Sequence, residues 1–65
     1  MTTTVAPPTA FLTPQQVAHT LQVDTKTLAN WRYLHRGPAY IKDGGIVRYP
    51  REALDAYIHE RTVRP

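Results

Sequence analysis

The chain has 65 residues, 42% of them apolar or tyrosine, with six prolines, no cysteine and a formal net charge of +3. A chain this short builds one small domain with a thin core, leaving too few side chains to enclose a catalytic pocket, so an enzyme is not expected. The lack of cysteine excludes disulfide staples and thiolate metal sites and fits the cell interior, and no run approaches the roughly 18 apolar residues of a membrane span.

Residues 1–11 (MTTTVAPPTAF) are uncharged and aperiodic and read as a disordered tail, without the basic and apolar regions of a signal peptide. The domain is expected over 12–62, with 63–65 a second tail. Thr13-Pro14-Gln15-Gln16 is a helix start: Thr13 at the N-cap, Pro14 in the first turn and Gln16 closing a capping box. Leu12 and Val17 hold the staple positions around that cap. This helix presents Val17, Ala18 and Leu21 on one face and stops near Leu21.

A short break, Gln22-Val23-Asp24, leads to a second N-cap at Asp24, with Val23 and Leu28 repeating the staple. The second helix is predicted over 25–36, with Leu28, Trp31 and His35 turned inward, and it ends at Gly37-Pro38, where Gly37 suits the C′ position. Tyr40-Ile41-Lys42 and Ile46-Val47-Arg48-Tyr49, joined by Asp43-Gly44-Gly45, read as a β-hairpin. Arg51 to Arg61 then reads as a third helix through Leu54, Tyr57, Ile58 and Arg61, with no polar cap at its start.

Charge divides along this order. From Lys26 to Arg51 there are six basic residues (Lys26, Arg32, Arg36, Lys42, Arg48, Arg51) and one acid (Asp43), a net of +5; from Glu52 to Thr62 the net is −2. A positive second helix and hairpin point to a phosphate backbone, with a solvated basic surface as the alternative. Helix, turn, helix, hairpin, helix is the order of a winged helix-turn-helix: mostly α with a small β-hairpin. A helix fits the major groove, and a hairpin beside it reaches phosphates or the minor groove.

At 100° per residue, Lys26, Ala29, Asn30 and Tyr33 oppose the apolar stripe of the second helix. Asn30 can pair with adenine in bidentate fashion, Lys26 reaches guanine or phosphate, and Tyr33 offers its hydroxyl. Arg32 and Arg36 flank this face near phosphates; Arg32 alternatively lays its stem over Trp31. On the hairpin, Lys42 and Arg48 are expected phosphate contacts. The bare amides of Gly44 and Gly45 either approach the backbone or serve the turn alone. His19, His35 and His59 share no metal-ligand spacing, and Asp55 with Glu60 makes no acid–base pair, so neither metal nor cofactor is expected.

The stretch from Leu12 to about Ile58 resembles the small winged-helix DNA-binding domain of phage excisionases, AlpA-like regulators and the N-terminal part of MerR regulators. The resemblance is carried by LT-x-x-x-VA, by TL-x-x-W-R (Thr27, Leu28, Trp31, Arg32), by RGPAYIK, by GG-x-VRY and by the closing EALDAYI. It implies a recognition helix with Lys26, Thr27, Asn30 and Tyr33 at the groove, Arg32 and Arg36 at the backbone, and Lys42, Gly44, Gly45 and Arg48 on the wing. Ala29 stands where related excisionases often carry a base, which implies lighter readout. A stand-alone ligand-responsive activator, which needs the long dimerisation helix and effector domain of full MerR regulators, is not expected.

The function expected from this resemblance is that of an excisionase, or recombination directionality factor. Such a protein binds and bends double-stranded attachment-site DNA, with copies side by side, and turns a tyrosine or serine integrase towards excision. A small promoter-binding regulator is the alternative, and a protein-interaction module on the same fold is a third reading. No membrane or small-molecule partner is expected, and the location is expected to be cytoplasmic, at the nucleoid.

Overall fold

The computed structural model describes residues 10–64. The element order is β1 (Phe11–Leu12), α1 (Pro14–Leu21), α2 (Thr25–Tyr33), β2 (Ile41–Asp43), β3 (Ile46–Pro50) and α3 (Arg51–Arg61). Three helices accompany a small antiparallel sheet of order β1-β3-β2, so the fold is mostly helical with a wing-like hairpin, as the sequence order implies.

α1 begins as its sequence dictates. The Thr13 hydroxyl accepts from the Gln16 backbone N–H at 3.1 Å, and the Gln16 side-chain oxygen accepts from the Thr13 N–H at 2.9 Å. This reciprocal pair satisfies donors that a helix N-terminus otherwise leaves open. The helix closes at Gln22, which adopts a left-handed φ of 59°. That residue turns the chain so that the Val23 N–H reaches the Ala18 carbonyl at 2.9 Å.

α2 departs from expectation at both ends. Asp24 sits at the N-cap, but its side chain makes no capping hydrogen bond. The helix ends at Tyr33 rather than residue 36, because His35 turns left-handed at φ 58°. The His35 N–H then reaches the Arg32 carbonyl at 3.2 Å and the Arg36 N–H reaches the Trp31 carbonyl at 2.8 Å, a Schellman closure. His35 is therefore exposed in the closing turn, not part of the inward face. Gly37, expected to end the helix, instead lies against Trp31: a Cβ there would stand 2.8 Å from the indole Cε3, and its φ is 89°.

The hairpin forms around Gly44-Gly45, with Asp43 opposite Ile46, Lys42 opposite Val47 and Ile41 opposite Arg48. Gly44 takes a left-handed φ of 62°, as the first residue of such a tight loop requires. The third strand is a correction to the predicted tail. Phe11 and Leu12 pair with Pro50 and Tyr49, so Phe11 belongs to the domain. The Ala10 carbonyl also accepts from the Arg51 N–H at 2.7 Å, which helps α3 begin without a side-chain cap. Residues 1–9 of the tail assigned to 1–11, and Pro65, lie outside the described residues.

The core is small: Val17 and Ala18 of α1, Leu28 of α2, Tyr49 of β3 and Leu54 of α3. Leu12, Leu21, Val23, Trp31 and Val47 close its rim. Leu12 and Val23, the two residues read as staples, thus seat both helix starts on one core. Trp31 is half-buried and meets Tyr57 of α3 in a tilted contact, ring centroids 6.1 Å apart.

Candidate nucleic-acid interface

The buried Leu28 fixes the rotation of α2 about its own axis. Its neighbours Thr27, Trp31 and Arg32 are half-buried, while Lys26, Ala29, Asn30 and Tyr33 face solvent. Lys26, Asn30 and Tyr33 stand four and three residues apart and line one face. Tyr33 is 81% exposed, far more than an aromatic ring needs to reach water with its hydroxyl alone. Lys26 and Asn30 make no side-chain hydrogen bond or ion pair among the described residues. Ala29 adds no bulk, so this face can approach a groove closely. Arg36 is exposed just beyond the helix.

Arg32 is not free in this way. Its Nη1 donates to the Tyr49 hydroxyl at 2.8 Å, and the guanidinium carbon lies 5.8 Å from the Tyr40 ring centroid. The Tyr40 and Tyr49 rings are themselves 6.0 Å apart. The side chain thus spans from α2 to the hairpin. Neither tyrosine was legible as a site residue, since seventeen positions separate Arg32 from Tyr49. An alternating strand pattern could at most have marked Tyr49 as inward.

The hairpin separates its two cations. Directly opposed residues of an antiparallel pair project to the same side, and sides alternate along each strand. Lys42 therefore shares the face of Val47 and Tyr49, which turns towards the helices. Arg48 shares the outer face with Ile41, and its Nη1 donates to the Val47 carbonyl at 2.7 Å. The two cations expected at phosphates on the hairpin thus part: Lys42 lies on the helix side and Arg48 on the opposite side. At the tip, a Cβ on Gly44 or Gly45 would meet nothing within 4 Å, which leaves the loop backbone open to approach.

The outer sheet face is apolar for so small a molecule. Phe11, Ile41 and Ile46 are 55%, 46% and 54% exposed, and with Asp43 and Arg48 they line a shallow groove. Among the described residues there is no cluster of three metal-ligating side chains, and no helix is long and apolar enough to cross a membrane.

No curated protein and no solved structure matches the chain significantly. Residues 11–62 match the helix-turn-helix domain family, whose small members include excisionase-like DNA-binding proteins. With α1, the Gln22 turn and α2 supplying the motif and β2–β3 the wing, the chain belongs to the helix-turn-helix domain family, and that membership implies a DNA partner.

Proposed function

We propose that the protein is a sequence-specific double-stranded DNA-binding protein of the excisionase type. It acts without a catalytic step or cofactor, in the cytoplasm at the nucleoid. The observation that carries the DNA-binding reading is the solvent-facing row Lys26, Asn30 and Tyr33 on the second helix of the motif. In this reading α2 enters the major groove, where Asn30 pairs with adenine and Lys26 and Tyr33 read or anchor beside it. Arg36, Lys42 and the open amides of Gly44-Gly45 hold the flanking backbone.

The excisionase role rests on the resemblance of the stretch from Leu12 to about Ile58. Bending a short duplex costs on the order of 1–6 kcal/mol, which several copies side by side offset through their phosphate contacts. The bent array then favours excision by a tyrosine or serine integrase. The test is a footprint over a candidate attachment region, paired with an excision assay containing the cognate integrase. Adjacent protected sites and stimulated excision support the reading. Protection of a promoter with no effect on excision assigns the protein to transcriptional regulation instead.

One observation favours a protein-docking role alongside or in place of DNA binding: the exposed Phe11, Ile41 and Ile46 on the outer sheet face. That face is opposite the one that meets the helices, so a protein partner there leaves α2 accessible. Failure to protect any duplex would leave docking as the surviving function.

A further inference from the structure

The close packings in this fold are α1 on α2, and α1 and α3 on β3; α2 is not among the elements packed closely on the hairpin. Leu28 of α2 and Tyr49 of β3 meet only through the shared core, which leaves the rim of this junction to a polar side chain. Arg32 leaves the last turn of α2 and donates to the hydroxyl of Tyr49 on β3, with Tyr40, just before β2, beneath its guanidinium.

Three features make this a joint rather than a passing surface contact. Tyr49 is 1% exposed, so its ring is fixed by the core and its hydroxyl is a stationary acceptor. A guanidinium is planar and can hydrogen-bond at its edge while an aromatic ring lies near its face; an ammonium has no flat face and no fixed donor fork to hold that geometry. The bond is charge-assisted and partly withdrawn from water, where it is stronger than at an exposed site.

We propose that Arg32 is a positioning residue that locks α2 to the wing through Tyr49 and Tyr40, setting the angle at which helix and wing meet DNA. The proposal rests on the DNA-binding reading for its functional consequence, but the joint itself is a property of the free protein. It differs from a phosphate contact, the role the sequence suggests for Arg32, because the hydroxyl of a buried tyrosine then matters as much as the charge of the arginine.

Tyr49→Phe deletes only that hydroxyl, and Arg32→Lys keeps the charge while losing the planar fork. In the free protein, backbone N–H residual dipolar couplings should show α2 rotated or broadened in its orientation relative to β3 in both variants, with each element internally unchanged. A wild-type orientation in Tyr49→Phe overturns the proposal, and this reading needs no DNA. On a mixed-sequence 20-base-pair duplex, both variants should bind on the order of fivefold to tenfold more weakly, the size of one typical net hydrogen bond.

The salt dependence of binding should keep its wild-type slope in both, since no phosphate contact is lost. Wild-type affinity in Tyr49→Phe, or full retention of affinity in Arg32→Lys, overturns the proposal in favour of a charge acting directly on phosphate. If the wild-type protein binds no duplex, the DNA-binding reading fails, while the dipolar couplings still decide whether the joint exists. Thermal melts of both variants, with titrations run well below each midpoint, separate reorientation from unfolding.

Discussion

Asn30 offers an amide that donates and accepts at once, so the pairing open to it with adenine is directional in a way that a lysine contact is not. Asn30→Ala is expected to cost about 1–3 kcal/mol on a duplex selected from a random pool, and to change binding to unselected DNA little. Lys42→Ala removes a point charge on the helix side of the wing and should weaken both duplexes alike. Parallel anisotropy titrations on the two duplexes check this division, and equal losses in both variants would contradict it. Gly37 bears on stability instead. Its left-handed φ of 89° and the 2.8 Å approach of a Cβ to Trp31 leave no room for a side chain. Gly37→Ala should destabilise the domain by about 1–3 kcal/mol, seen as a lowered midpoint in thermal denaturation. An unchanged midpoint would mean that the 37–38 turn shifts away from the indole at no cost.

Among the elements, the two turns that orient the helices carry a conformational cost. Gln22 and His35 are both non-glycine residues in the left-handed region, at φ 59° and 58°. Gln22→Gly and His35→Gly should each stabilise the fold by up to about 1 kcal/mol in urea denaturation, whereas Thr13→Ala should destabilise it by about 1 kcal/mol through the lost capping box. Destabilisation by both glycine variants would show that the side chains of Gln22 and His35 make contacts worth more than the strain. These turns also mark where sequence reading ends. The Thr13–Gln16 box, the staples at Leu12 and Val23 and the Gly44-Gly45 loop are local signals, each written within a few residues, and all were legible. The closure at His35 was not, because nothing in its residue type demands a left-handed backbone, and Gly37 offered a more obvious stop. β1 was missed because two apolar residues after a Thr-Pro-Ala stretch carry no period, and their partner strand lies far along the chain. The exposed face of α2 followed from helical geometry once Leu28 and Trp31 were taken as inward. The engagement of Arg32 and the separation of Lys42 from Arg48 depend on register and tertiary approach, which spacing alone does not contain.

At the scale of the whole molecule, the core cluster of Val17, Ala18, Leu28, Tyr49 and Leu54 holds three helices and a three-stranded sheet together. So thin a core makes each of its members matter. Leu28→Ala, at a site with no exposure, should cost about 2–5 kcal/mol and leave much of the chain unfolded by circular dichroism at physiological temperature. A cooperative melt close to that of the wild type would contradict this view of the core. Lys26, Arg36 and Lys42 are each exposed, and the third helix carries a net negative charge. Lys26, Arg36 and Lys42 are the cations assigned to the DNA-facing side, and Arg48 lies across the hairpin from them. The most direct test is the affinity of the intact protein for a short duplex, titrated by fluorescence anisotropy from low to moderate salt. Three displaced counterion sites predict that log K falls with log salt at a slope of about −3. A slope near zero would contradict the account, because α2 and the wing would then not be meeting a phosphate backbone at all.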